Sequence, residues 1–118
     1  MSGQTGYHAG LAAEAIVARD YLRRNHAVAS ERWRGQSGEI DLICRDGDTV
    51  VFVEVKKSGS FARAATRLSR SQMDRICGSA AEFLAGEPRG QLTDVRFDLA
   101  LVDGSGAVKV IENAFMET

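Results

Sequence analysis

Two short apolar runs, Glu39–Cys44 and Val50–Val55, flank an Asp46-Gly47 turn, and each is interrupted by a carboxylate, Asp41 in the first and Glu54 in the second. Asp-Gly between such runs predicts a β-hairpin. Alternation along the second run puts Val51, Val53 and Val55 on one face and Phe52, Glu54 and Lys56 on the other. Charges inside an apolar strand are costly unless they are paired or bind a cation. An isolated Glu-x-Lys is ordinarily a solvated ion pair. Here acids occupy the same unusual kind of position in two strands, and the hairpin can bring them together given the right register. Two adjacent carboxylates repel, so one keeps its proton at neutral pH unless a cation lies between them. A hard ion such as Mg²⁺ accepts one or two carboxylates and keeps water and phosphate in its other positions. Asp41, Glu54 and the Val55 carbonyl are therefore candidate ligands for Mg²⁺ or Mn²⁺. Lys56 is placed to orient or deprotonate an attacking water and to neutralise phosphate charge.

The rest of the chain supplies the frame. Leu11, Ala15, Ala18 and Leu22 recur at helical spacing, predicting a helix from Gly10 to Arg24 that stops at Asn25. Ala27–Trp33 reads as a weak strand and Gly35–Gly38 as a turn. Lys57–Ser69 has little periodicity and reads as a mobile loop. A second helix is expected over Ser71–Ala85, with Met73, Ile76, Ala80 and Phe83 or Leu84 as its stripe, capped by Ser69 with Gln72 or Ser71 with Asp74. Gly86–Thr93 is a loop. Asp94–Val102, with Val95, Phe97, Leu99 and Leu101 inward, and Ala107–Ile111 complete the set. The order α-β-β-β-α-β-β defines one α/β domain over residues 1–118, a mixed sheet flanked by helices. Glu14, beside the first helix's apolar face, and Gln72, one turn before Ile76, could face the hairpin carboxylates; each reads equally well as an ordinary surface residue.

A net charge of −1 argues against attachment to nucleic acid by bulk charge alone. The distribution is uneven, however. Lys56–Arg75 holds six basic residues against the one acid Asp74, whereas Glu82 to the end holds seven acids against Arg89, Arg96 and Lys109. Lys57, Arg63, Arg67, Arg70 and Arg75 are candidate phosphate contacts, or the solvated face of a loop. No run approaches the roughly 18 apolar residues of a membrane helix, and Met1–Gly10 lacks the pattern of a signal peptide. Cys44 and Cys77 have no metal-ligand spacing and read as two reduced core thiols, consistent with the cytoplasm; His8 and His26 are isolated.

Asp41, twelve residues, then Glu54-Val55-Lys56 resembles the PD-(D/E)xK motif of restriction-endonuclease-like nucleases. More closely, Gly38-Glu39-Ile40-Asp41-Leu42-Ile43 with Val51–Lys56, Arg96-Phe97-Asp98 and Glu112-Asn113-Ala114-Phe115 resembles the bacterial YraN family. Glu14 is similar to the first-helix acid of archaeal Holliday-junction resolvases. The resemblance implies a restriction-endonuclease-like core. It casts Asp41 and Glu54 as metal ligands, Lys56 as the catalytic lysine, and Glu14 and Gln72 as auxiliary catalytic residues. Ser58 and Ser71 stand where that family usually carries Arg and Lys, two losses of phosphate contact. The implied activity is metal-dependent endonucleolytic cleavage of DNA, branched or damaged DNA included. DNA is favoured over RNA as the partner, and a homodimer is expected because one site cuts one strand. Trp33, Phe61, Phe115 and Met116, which the core does not claim, are candidates for the shared surface. The alternatives are a non-catalytic nucleic-acid-binding module on the same fold, or an adaptor in which Asp41, Glu54 and Lys56 form a buried polar network.

Overall fold

A computed structural model of the chain describes the backbone of residues 2–115 and side chains from residue 10 onward. His8, as a side chain, and Met116 lie outside the described residues. The elements are α1 (Ser2–Arg23), β1 (Ala27–Arg34), β2 (Glu39–Asp46), β3 (Thr49–Lys57), α2 (Phe61–Ala65), α3 (Arg70–Leu84), a 3-10 turn (Gly90–Leu92), β4 (Val95–Val102) and β5 (Val108–Ile111). The strands form one five-stranded sheet in the order β1-β2-β3-β4-β5. All neighbours are antiparallel except β3 and β4, which run parallel. The crossover between those two carries α2 and α3, as a parallel connection requires.

Helix α1 covers one face of the sheet. Ala13, Val17, Ala18 and Tyr21 pack on Leu42, Cys44, Val51, Val53, Ala100 and Val102. The stripe thus differs from the expected one: Leu22 is exposed and Tyr21 takes the inward position. The reason is polar, because the Tyr21 hydroxyl donates to the buried Asp98 carboxylate at 2.7 Å. The helix ends as its sequence predicts. Asn25 adopts φ 66°, and the amides of Asn25 and His26 donate to the carbonyls of Leu22 and Tyr21, the αL stop that an Asn at C′ tolerates.

Helix α3 covers the other face. Ile76, Ala80 and Leu84 pack on Ile40, Ile43, Val50 and Phe52, with Trp33, Phe83, Phe97 and Phe115 around them. Its N-terminus carries the first of the two expected capping pairs: Ser69 Oγ accepts from the Gln72 amide, and Gln72 Oε1 accepts from the Ser69 amide. Strand β4 is covered on both faces, so Asp98, Ala100 and Val102 are buried along with Leu99 and Leu101, while Val95 is exposed.

Three expectations are corrected. Lys57–Ser69 is not a mobile loop: it contains α2, capped by Ser60, with Ala64 buried against Leu99 and Leu101 and with Phe61 and Leu68 packed beside it. Five residues are too few to show helical periodicity, and the serines and arginines on either side hide the short helix. Trp33, Phe61 and Phe115 are not an unclaimed apolar surface. Trp33 meets Phe83 edge-on at 5.5 Å, Phe115 stacks on Phe97 at 5.2 Å, and Phe61 belongs to the α2 cluster. Finally, only Cys44 is a core thiol, pushed up to about 12 chiefly by burial; Cys77 is exposed on α3. Among the described residues no helix is long and apolar enough to cross a membrane.

Candidate functional site

The hairpin register decides whether the two carboxylates meet. Strands β2 and β3 pair from Asp46↔Thr49 to Leu42↔Val53, and one further step sets Asp41 beside Glu54. The ladder ends at that step. The Val55 amide donates instead to the Asp41 carboxylate at 2.8 Å, so a side chain replaces the next backbone acceptor where the strands part. The site is a fork in the middle of the sheet, with β3 continuing alone along β4 as far as Lys57↔Val102. Alternation on β3 places Lys56 next to Glu54 on the same face, with Nζ 3.2 Å from Glu54 Oε2.

Glu54 is only 8% exposed, and its second oxygen, Oε1, is buried with no hydrogen-bond partner. Burial of the charge, then the neighbouring Asp41 carboxylate, push the Glu54 carboxyl up to about 8, against the lowering pull of Lys56. Asp41 can only accept when ionised, so a bond between the two carboxyls exists only while one carries a proton. An orphaned buried acceptor facing a second carboxylate is costly for the protein alone. It also matches what a hard divalent ion requires. Among the described residues no group of three or more His, Cys, Asp or Glu side chains converges as a metal cage. Two carboxylates alone could hold such an ion only with water or other oxygens in its remaining positions.

The other expected residues fall on both sides of this fork. Glu14 reaches it from α1: burial and the Asp41 charge push its carboxyl up to about 7. Gln72 and Arg75 reach it from α3, where they line a cavity of about 130 Å³ with Glu54, Gly38, Glu39 and Ile76, room for a few waters. Lys57, Arg63, Arg67 and Arg70 are exposed on the end of β3, on and after α2, and at the start of α3. They rim the crossover at the C-terminal end of β3 and touch neither carboxylate in the described contacts.

Two residues at the site, Arg32 and Glu82, were missed in the sequence. Arg32 Nη1 donates to Glu14 Oε1 at 3.1 Å, and its Nη2 lies 3.8 Å from Glu39 Oε1. Glu82 on α3 accepts from the amides of Gln36 at 2.9 Å and Ser37 at 3.3 Å, which pins the β1–β2 turn just before Glu39. Close approach there requires glycine: a Cβ on Gly35 would stand 2.8 Å from Trp33 and 2.9 Å from Ser79. No periodicity or motif marks Arg32 or Glu82. The Gly35–Gly38 segment gave a signal only as a turn by composition.

Fold and fork together define a mixed α/β domain with a carboxylate pair, Glu54 buried and Asp41 half-buried, opening at the middle of its sheet. The model of the uncharacterised protein family UPF0102 matches residues 13–102. A UPF0102 protein of Cereibacter sphaeroides (strain KD131) is 67% identical over 115 residues, covering 98% of each chain. Relatives in Ruegeria pomeroyi and Roseobacter denitrificans are 59% and 56% identical, covering 96% and 98% of this chain and 92% and 90% of their own lengths. The chain belongs to the UPF0102 family, the one its sequence resembles under the name YraN.

Proposed function

We propose that this chain is a divalent-metal-dependent endonuclease with a restriction-endonuclease-like core, hydrolysing phosphodiester bonds in DNA, branched or damaged DNA included. The observation that carries the reading is Glu54 Oε1: a buried acceptor without a partner, on the central strand, facing Asp41 and beside Lys56. Asp41, Glu54 and the Val55 carbonyl would hold Mg²⁺ or Mn²⁺, which supplies a nucleophilic water and charge neutralisation at the phosphate. Lys56, 3.2 Å from Glu54 Oε2, would orient that water and neutralise charge at the phosphate oxygens. Glu14 adds negative charge through Asp41. Gln72 accepts with its Oε1 at the helix cap and lines the cavity it shares with Glu54, where its amide nitrogen would be the group free to donate. Lys57, Arg63, Arg67, Arg70 and Arg75 would follow the sugar–phosphate backbone around the crossover.

The test is cleavage of duplex, single-stranded and four-way-junction DNA by the purified chain with Mg²⁺ or Mn²⁺. Cutting of at least one substrate by the wild-type chain, and none by Glu54→Gln, is expected. The second reading, a binding module without turnover, is favoured by Ser58 and Ser71, where the family pattern carries basic residues. Its result would be retention of DNA without cutting. Neither cutting nor retention of DNA would contradict both readings.

A further inference from the structure

Arg32 holds an unusual conformation for an arginine. Its φ is 54°, in the left-handed region, which costs an ordinary L-residue about 1–2 kcal/mol. It lies on β1 past a register shift between Val28 and Ser30. The result of that twist is a guanidinium carried across to α1, where Nη1 donates to Glu14 Oε1 at 3.1 Å, with Nη2 3.8 Å from Glu39 Oε1. Glu14 and Glu54 both feel the charge of Asp41, and Arg32, between the pairs Glu31↔Leu42 and Trp33↔Ile40, lies across from Asp41 itself. The acids Glu14, Asp41 and Glu54 thus form a row, with one cation against each end: Lys56 on Glu54 at 3.2 Å and Arg32 on Glu14. Asp41, in the middle, accepts the Val55 amide.

A guanidinium keeps its charge at every pH a protein tolerates, so Arg32 is a fixed positive charge against the acid row. It acts on a divalent ion at Asp41 and Glu54 in two ways. It repels the ion directly, and it occupies the Glu14 oxygen that would otherwise turn toward the metal or its water. Resting on the metal reading above, we propose that Arg32 is an internal counter-cation competing with the divalent ion for the acid row, and so sets the metal affinity of the site. The competition would keep the site weak until a substrate phosphate arrives, when Arg32 can exchange Glu14 for a phosphate oxygen.

The test is calorimetric titration of the full chain with Mn²⁺, without nucleic acid, on the wild type, Arg32→Asn, Arg32→Lys and Glu54→Gln. Asparagine tolerates the left-handed conformation, so Arg32→Asn keeps the backbone while removing the charge; far-UV circular dichroism checks its fold. One charge removed roughly 10 Å from a divalent ion gives, at an effective dielectric near 40, affinity tighter by on the order of tenfold. Arg32→Asn should show that gain, and Arg32→Lys should stay near the wild type. Wild-type binding lost in Glu54→Gln but unchanged or weakened in Arg32→Asn would overturn this proposal and leave the metal site standing. No Mn²⁺ bound by any of the four proteins would overturn both.

Discussion

Asp98 and Glu54 sit one register step apart on neighbouring parallel strands, since Val53 pairs with Asp98 and Glu54 with Leu99. They face opposite sides of the sheet and have opposite fates. Asp98 is completely buried and satisfied from all directions. It accepts from the Tyr21 hydroxyl at 2.7 Å, from Arg96 Nε and Nη2 at 2.9 and 3.0 Å, and from the Asn113 amide at 3.2 Å. The network runs on: Arg96 Nη2 also donates to His26 Nε2 at 3.0 Å, which fixes that ring as an acceptor there, so its Nδ1 donates to the Arg24 carbonyl. Glu54 has Lys56 as its one cationic partner and an oxygen that no N–H or hydroxyl donor meets. A buried acid met by donors ties elements together: here α1, β4, the β2–β3 hairpin and the segment after β5. A buried acid left short of donors stays open to a further partner, the cation proposed above being one.

The sharpest way to break this contrast is to remove each carboxylate in turn. Asp98→Ala strands Arg96 and Tyr21 inside the α1 layer and should cost about 3–5 kcal/mol, as when one partner of a buried ion pair is lost. Glu54→Gln should cost far less, or stabilise the metal-free protein, because it removes a frustrated charge. Urea unfolding of both variants measures the difference. Equal losses would mean that Glu54 is as structural as Asp98.

Proton linkage gives the next effect. Glu54 is raised from 4.5 to about 8 and Glu14 from 4.5 to about 7, so the folded chain binds more protons than the unfolded chain between those limits. Stability of the metal-free protein should therefore fall as pH rises from about 4.5 toward 8. Removal of the Glu54 contribution should leave Glu54→Gln with a shallower decline that ends near pH 7. Thermal melts in chelator at half-unit steps would decide it, and identical slopes for both proteins would contradict the assignment. Divalent-ion affinity should run the other way, rising over the same window as the carboxyls lose their protons.

Smaller effects refine each side. Tyr21→Phe removes one donor to Asp98 and should cost about 1–2 kcal/mol in urea unfolding; no loss would mean that Arg96 and Asn113 satisfy the carboxylate alone. Replacing Arg63, Arg67 and Arg70 together with Ala should leave stability nearly unchanged, since all three are exposed. It should flatten the slope of log DNA affinity against log salt by a little under one unit for each side chain engaged. An unaltered slope would make this rim a solvated surface.

How much of this was legible in the sequence depended on the range of the signal. The hairpin was readable because Asp46, Gly47 and the alternation from Val51 to Lys56 are local, and Asp41 beside Glu54 follows from their register. The Ser69–Gln72 cap and the Asn25 stop are local as well. The inward face of α1 was misread because Tyr21 is drawn inside by Asp98, 77 residues away. Arg32 was invisible for a similar reason: its role depends on a left-handed backbone and a carboxylate on another element. The pattern Arg96-Phe97-Asp98 with Asn113-Ala114-Phe115 stood out before its cause did. Arg96 and the Asn113 amide both serve Asp98, the Ala114 amide donates to the Phe97 carbonyl at 2.8 Å, and Phe115 stacks on Phe97.

Electron paramagnetic resonance of added Mn²⁺ separates a cation site at the Asp41–Glu54 fork from a purely structural Asp98 network. The hexaaqua signal should be quenched by the wild-type chain in proportion to one ion per molecule. Tyr21→Phe, which perturbs only the Asp98 side, should quench it equally, and Glu54→Gln should leave it at full strength. A Glu54→Gln signal quenched as strongly as that of the wild type, or a wild-type chain that leaves the free Mn²⁺ spectrum untouched, would contradict the account.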